Sequence, residues 1–347
     1  MKKTLSLAMA AIMAMSLTAC GSSAQATGGT QAADAQGSAA ASEASATTAA
    51  DTSDGKQYTV GICQLVQHEA LDAATKGFRD VLEETFGSNV TFDEQNASGD
   101  SATCATITNT FASNGVDLIL ANATPALQAA SSATADIPIL GTSITEYGVA
   151  LGIEDFNGTV GTNVSGTSDL APLDQQAAMF DELLPDAKKV GIVYCSAEQN
   201  SVYQADTVKA ELEKSGRTVS VYTFADSNDV AQVVQTACDE NDALYIPTDN
   251  TAASCTEAIN NVALPAKTPI ICGEEGLAKG CGIATLSISY YELGRTTGEM
   301  AVKILKGEAN VSEMPVEYYG NPVKKFNKSN CETLGITVPD GYEAIEE

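Results

Sequence analysis

The sequence predicts an α/β protein whose folded body is two similar lobes, each a parallel sheet flanked by helices. Three observations carry this. Short β-rich runs alternate with amphipathic helical stretches from about Gln57 onward. The pattern restarts about 130 residues later with matching local sequences. A segment of small and polar residues separates the body from an apolar N-terminal run.

Lys2 and Lys3 precede the uncharged apolar run 5–17. That run is too short to span a bilayer, which needs about 20 apolar residues. Basic, then apolar, then small residues is the order of a secretory leader. The run ends in Leu17-Thr18-Ala19-Cys20-Gly21, which resembles a bacterial lipobox. Small residues before the cleaved bond fit a narrow peptidase site, and the Cys20 thiol accepts lipid. The alternative is an ordinary leader with a chance cysteine. A signal peptide over 1–19 and a lipid anchor at Cys20 are therefore expected, with the body outside the cell membrane. One acyl chain anchors weakly, so a stable attachment needs more than one. Residues 21–54 hold no aromatic and no branched aliphatic side chain. Such a stretch cannot offset its ordering entropy by burial, and 20–56 reads as a lipidated, disordered tether.

Within the body, 58–64 reads as a strand and 70–86 as a helix, with Leu71, Ala74, Phe78, Val81 and Leu82 at helical spacing. Strands at 89–96, 118–122 and 137–142 alternate with helices at 101–114 and 125–134. Repeated βα units imply a parallel sheet covered on both faces. The restart is specific. Val60-Gly61-Ile62 recurs as Val190-Gly191-Ile192, Asp117-Leu118-Ile119-Leu120 as Asp242-Ala243-Leu244-Tyr245, and Ile137-Pro138-Ile139-Leu140 as Thr268-Pro269-Ile270-Ile271. The offsets are 130, 125 and 131 residues, and three matches in order argue for one architecture used twice. Open α/β lobes bind ligands at the carboxyl ends of their strands. Two facing lobes form a shared cleft that closes by hinge motion.

Composition excludes several functions. The net charge is −27, and loss of Lys2 and Lys3 with a leader makes it −29. Such a surface repels nucleic acid and anionic head groups. Arg79, Arg217 and Arg295 are the only arginines. No GxGxxG or Walker run stands at the first strand-to-helix turn, where the chain reads Gln64-Leu65-Val66-Gln67-His68, so no nucleotide cofactor is expected. His68 is the sole histidine and lacks a GxSxG partner, which argues against a hydrolase. The cysteines lack CxxC pairs, so no metal site is expected. Apart from Cys20 there are eight, mostly in apolar runs, which read as buried free thiols. An even count outside the cytoplasm also allows disulfides, with Cys272 and Cys281 the first pair to test.

A set of local runs then bears a resemblance. Gln64 with His68-Glu69-Ala70-Leu71-Asp72-Ala73, Ala123-Thr124-Pro125-Ala126, Gly166-Thr167-Ser168-Asp169, Leu183-Leu184-Pro185, Pro247-Thr248-Asp249-Asn250 and Ser289-Tyr290-Tyr291-Glu292-Leu293-Gly294 together resemble ABC-transporter substrate-binding lipoproteins of the tryptophan/tyrosine type. The resemblance runs over 58–339. It implies a type I periplasmic-binding fold, with a three-strand hinge crossing near 168–172, 286–290 and 316–321. Lobe one would be 57–168 plus 289–316, and lobe two 170–286 plus 320–347. It also implies a monomer that delivers an aromatic or large apolar amino acid to an ABC permease and its ATPase. A sugar- or nucleoside-binding protein of the same fold, or a sensor without transport, is the alternative. Sugar clefts usually stack a ring on Trp or Phe. This chain has no Trp, and its Phe residues are expected to lie away from the strand ends.

Residues just past the strand ends are the candidates for the cleft. In lobe one they are Gln64, His68, Thr124, Pro125, Ser143 and Ile144. In lobe two they are Ser196, Glu198, Asn200, Ser201, Asp249, Asn250 and Glu274 or Glu275, with Ser168 and Asp169 at the first crossing. Asp249 would hold a ligand ammonium, helped by Asn250 and by Glu198 or Glu275, because a carboxylate in a dry cleft needs a cation. Thr124, Ser143 and the helix-start amides would hold a carboxylate. Gln64, His68, Ile144 and one of Tyr147 or Tyr203 would surround the side chain. Thr124 and Asp249 could equally be helix caps, His68 a solvated helix start, Asp169 a hinge brace, and Tyr290 and Tyr291 packing residues.

Overall fold

The computed structural model describes residues 55–346. The expected leader, Cys20 and nearly all of the tether lie outside the described residues. Two sheets organise the body. The first has the order β11-β5-β4-β3-β1-β2, from β1 (Tyr58–Gln64), β2 (Val90–Asn96), β3 (Leu118–Asn122), β4 (Ile139–Ile144), β5 (Val164–Ser168) and β11 (Glu317–Tyr318). The second has the order β13-β12-β10-β9-β8-β6-β7, from β6 (Lys189–Cys195), β7 (Thr218–Phe224), β8 (Ala243–Ile246), β9 (Ile270–Cys272), β10 (Ala284–Ser287), β12 (Val323–Phe326) and β13 (Glu343–Ala344). Every pairing is parallel except that of β10 with β12. Five strands of each sheet follow one doubly wound order, with the second strand outside the first and the third on its other side. The internal repeat is thus a repeat of topology.

Helices cover both faces, so central strands are buried along nearly their whole length. Leu118–Asn122 is buried at all five positions. On the first sheet lie α1 (Glu69–Phe86), α2 (Ser101–Asn114), α3 (Thr124–Ala133), the short α4 (Tyr147–Leu151) and α11 (Tyr290–Leu305). On the second lie α5 (Leu173–Leu183), α6 (Gln199–Lys214), α7 (Val230–Glu240), α8 (Asn250–Ala253), α9 (Thr256–Ala266), α10 (Glu275–Gly280) and α12 (Lys328–Leu334). The buried face of α1 is Ala70, Leu71, Ala74, Thr75, Gly77, Phe78, Val81 and Leu82, a stripe of three and four spacing. Separate apolar clusters lie on either face of each sheet.

The chain passes between the sheets three times. It leaves the first after β5 for α5, returns after β10 to α11, and leaves again after β11 for β12. The first sheet takes in Glu317 and Tyr318, which pair with Thr167 and Ser168, two residues beyond the 316 boundary read from the sequence. β4 also departs from the expected 137–142. It runs two residues later, through a register shift between Gly141 and Ile144. Ser143 and Ile144 therefore sit in the strand rather than past its end. The eight described cysteines are free thiols, seven of them buried. Cys63 and Cys104 share a thiol hydrogen bond, as do Cys272 and Cys281.

Helices α1 and α11 touch through glycines. A Cβ on Gly294 would come within 2.0 Å of the Ala74 carbonyl oxygen, and one on Gly77 within 2.1 Å of the Tyr291 oxygen. Both obstacles are backbone, so no side-chain shift relieves them. Gly294→Val is expected to cost at least the roughly 1–3 kcal/mol of an overpacked core. A lower urea midpoint with an unchanged slope would register it. An unchanged midpoint would mean that the helices separate freely.

Candidate functional site

The doubly wound order sends the connections after β1 and β3 to opposite faces of the sheet. A crevice opens at that switch point. In the first lobe it is bordered by 65–68 and by Ala123 and Thr124. In the second it is bordered by 196–198 and 247–249. A cavity of about 120 Å³ lies between the lobes, lined by Leu65, Val66 and Pro125 on one side and Cys195, Glu198 and Thr251 on the other. A more open groove of about 310 Å³ adjoins it, bordered by His68, Ser254, Glu274 and Lys279.

Carboxylates dominate the second lobe's wall. Asp249 caps α8 and is 1% exposed. Its Oδ1 accepts from the Ala252 amide at 2.8 Å, and its Oδ2 from the Cys195 amide and the Ser201 hydroxyl, both at 2.7 Å. Glu198 Oε1 accepts from the Thr251 amide and hydroxyl, each at 2.8 Å. Its Oε2 accepts from the Asn250 amide at 3.0 Å and from Asn250 Nδ2 at 2.6 Å. Glu274 caps α10 through the Gly276 and Leu277 amides. Burial, followed by the charge of Glu198, raises the pKa of Asp249 well above the usual carboxylate range. Burial also raises Glu274 to about 7.

The lobes are joined by polar contacts. His68 Nε2 lies 3.1 Å from Asn250 Oδ1. Because Asn250 Nδ2 is committed to Glu198, that oxygen faces the imidazole and Nε2 carries the proton. Burial lowers the His68 pKa below its ordinary value, against the opposing pull of Asn250 and Glu198. Gln204 Nε2 donates to Thr145 Oγ1 at 3.1 Å, while its Oε1 accepts from the Thr248 amide at 3.1 Å. Thr145 donates in turn to Asp169 Oδ1 at 3.2 Å, and the Tyr290 hydroxyl donates to Oδ2 at 3.0 Å. Asp169 and Tyr290 stand at the first and second crossings, so this carboxylate braces the hinge. Burial raises its pKa to about 6 despite those two donors. Ser168 donates to the Thr145 carbonyl at 2.8 Å and accepts from the Leu170 amide at 3.2 Å, which fixes the same turn.

Several expectations need correcting. Gln64 does not face the cleft. Its amide donates to Asp72 and the Val66 carbonyl and accepts from Thr75, which ties β1 to α1. Ile144 and Tyr147 are fully buried in the first lobe's core, and the Tyr147 hydroxyl is spent on the Gly141 and Thr167 carbonyls. Tyr203 packs against the second lobe's core. Glu275 pairs with Lys325 at 2.7 Å, and Glu274 borders the cleft instead. Both oxygens of Asp249 are already engaged by donors of its own lobe. Thr124, Pro125, Ser143, Asn200 and Asn250 are buried, and of these Pro125 lines the cavity. Sequence reasoning missed Gln204, Thr145 and Thr248. Gln204 stands four residues after Asn200 on one face of α6, a spacing that could have found it.

Asp169, Glu274 and Asp249 all bind protons more tightly folded than unfolded. The stability this confers is complete below about pH 4, the unfolded range, and is lost as pH rises through their folded values. The melting temperature should therefore fall between pH 5 and pH 8.5. Repulsion among surface carboxylates acts in the same direction, so the triple variant Asp169→Asn, Glu274→Gln, Asp249→Asn isolates the buried contribution. Its profile should be flatter; a profile as steep as the parent's would exclude these groups.

The chain matches the family model of the ABC transporter substrate binding protein over residues 59–344. It is 38% identical over 268 residues to a tyrosine-binding protein of Clostridioides difficile, covering 76% of this chain and 77% of that one. A solved domain from Streptococcus pneumoniae in complex with L-Trp superposes with a TM-score of 0.79 at 34% identity, covering 84% of this chain and all of that one. The ligand-free, open structure of a substrate-binding protein with adhesive properties from Clostridium difficile gives 0.63 at 39% identity, covering 83% and 99%. Among the described residues no helix is long and apolar enough to cross a membrane, and no cluster of side chains is suited to a metal ion. The chain belongs to the ABC-transporter substrate-binding proteins, with the two-lobed architecture of the periplasmic binding proteins.

Proposed function

We propose that the protein captures a free amino acid, aromatic or large and apolar, as a zwitterion between its lobes and hands it to an ABC permease and its ATPase. One observation carries this reading: the two walls of the cleft have opposite polarity. On the second lobe, Glu198, Asp249 and Glu274 are buried with no basic side chain among their hydrogen-bond partners. On the first lobe, Thr124 and Pro125 open α3, whose N-terminus favours an anion, and the Ala123–Thr142 backbone bond brings residue Ser143 near that turn. A cationic group on one side and an anionic group on the other describe an α-amino acid. The named ligands of the two relatives, tyrosine and L-Trp, support the aromatic preference. His68 and Asn250 close over the site, and Asp169 holds the hinge beneath it.

The TM-score is higher against the L-Trp complex than against the open relative, although identity is higher with the latter. That ordering supports a closed arrangement here and closure as the response to ligand. Calorimetric titration with the twenty amino acids should find its tightest partner among Trp, Tyr and Phe. Tight binding of a sugar or nucleoside, with no amino acid bound, would overturn the proposal. Small-angle scattering should show a smaller radius of gyration once ligand is added. An unchanged radius alongside proven binding would rule out closure.

The leader and Cys20 support attachment to the outer face of the cell membrane through lipid. Palmitate should label the parent and leave Cys20→Ala unlabelled. Persistent label on the variant would overturn the anchor.

A further inference from the structure

Buried polar atoms nearly always have a partner, and those that do not call for an explanation. Five such atoms among the described residues have none: Asn122 Oδ1, Ser143 Oγ, Asn200 Oδ1, Arg217 Nε and Thr285 Oγ1. Asn122 lies under α1, where Leu71 and Thr75 take its amide. Arg217 pairs with Asp181 outside the cleft, and Thr285 lies within β10. Ser143 and Asn200 differ from these three. Ser143 stands near the end of β4 and Asn200 in the first turn of α6, on opposite lobes, 7% and 6% exposed. Gln204 links their surroundings, since its Nε2 donates both to the Asn200 carbonyl at 3.3 Å and to Thr145, two residues past Ser143.

The orientation of the Asn200 amide is fixed. Its Nδ2 donates to the Thr248 carbonyl at 2.9 Å and has Glu198 Oε2 at 3.3 Å. Turning the amide over would set its oxygen against a carbonyl and a carboxylate. Oδ1 is therefore an acceptor awaiting a donor. The donor's charge follows from the neighbours: Glu198 contacts the same amide, and Ser201 bridges it to Asp249. A neutral hydroxyl would fill the acceptor without offsetting those carboxylates, whereas an ammonium does both.

Ser143 is the counterpart on the first lobe. Its φ is 57°, in the left-handed region that a non-glycine residue occupies at a cost. The Ala123 amide donates to the Thr142 carbonyl at 3.1 Å, which sets Ser143 beside the first turn of α3. Ala123 is itself strained, with φ 93°. Two adjacent strained residues thus border the start of a ten-residue helix, with an unpartnered hydroxyl beside them.

We propose that Asn200 Oδ1 accepts the ligand's α-ammonium while Ser143 Oγ and the first-turn amides of α3 hold its α-carboxylate, so that the ligand's two polar ends fill the two unpaired atoms and bridge the lobes. This rests on the amino-acid reading above and assigns the ammonium to Asn200 in place of Asp249. The test pairs ligand groups with residues, using L-tyrosine, its amine tyramine and its desamino acid 3-(4-hydroxyphenyl)propionate, with the corresponding tryptophan series alongside. The parent should prefer the amino acid over each truncated analogue by about a hundredfold or more. Asn200→Leu should lose at least tenfold of its preference over the desamino acid and keep its preference over the amine. Ser143→Ala should show the reverse. Asn200→Ala serves if the Leu variant does not accumulate, and Ser143→Ala removes only an unpaired hydroxyl. Variants that bind the amino acid yet keep both preferences would overturn the assignment and leave the amino-acid reading standing. A parent that binds no amino acid would sink both.

Discussion

Burial of carboxylates without counterions is the constraint on which the cleft depends. Asp169, Glu198, Asp249 and Glu274 are each no more than 6% exposed, and none has a basic side chain among its hydrogen-bond partners. An uncompensated buried anion is costly, so each must collect donors from wherever the chain can supply them. Helix starts supply backbone amides at Ala252, Thr251 and Leu277. Hydroxyls at Ser201, Thr145, Tyr290 and Thr251, the Asn250 side-chain amide and the Cys195 backbone amide add to these. These bonds tie the loops after β6 and β8 together and draw the loop after β4 toward the hinge, while Glu274 closes the start of α10. A wall arranged in this way remains electrostatically unfinished, which is what a site for a cationic group requires.

The hinge obeys the same rule at a different place. Asp169 accepts from Thr145 on one crossing's approach and from Tyr290 on another, so two chain passages share one buried acceptor. Gln204 extends the connection to the second lobe's β8–α8 turn. Lobe position and cleft chemistry are therefore coupled through a short run of hydrogen bonds, of which Gln204–Thr145 crosses between the lobes.

The fold was legible because periodicity reports burial. β1, α2 and β3 fall where hydrophobic spacing placed them, since their patterns depend only on which side meets the sheet. The offsets of the internal repeat gave the second lobe from the first. The site was less legible because strand ends are local, whereas facing is a three-dimensional property. A two-residue shift of β4 carried Ile144 into the core, and Gln64 turned toward α1 because Thr75 and Asp72 offered partners there. Asp249 looked like a ligand for a cation, but three internal donors were already within reach. That carboxylates follow strands of the second lobe was readable from residue types. The particular atom left unpaired was not, because it depends on how one amide is turned.

The glycine contact between α1 and α11 has a consequence for how the chain emerges during synthesis. The helix that covers the first sheet is encoded after most of the second, and β11, which extends that sheet, comes later still. The second sheet in turn waits for β12 and β13 near the end of the chain. Neither lobe can complete its packing from an N-terminal fragment, although domains commonly fold in order as they appear. A chain exported from its N-terminus would emerge with an incomplete first lobe and with Gly77 of α1 uncovered. Ribosome stalling or truncation just before residue 290, after β10 and before α11, would therefore yield two unfinished lobes rather than one finished and one absent.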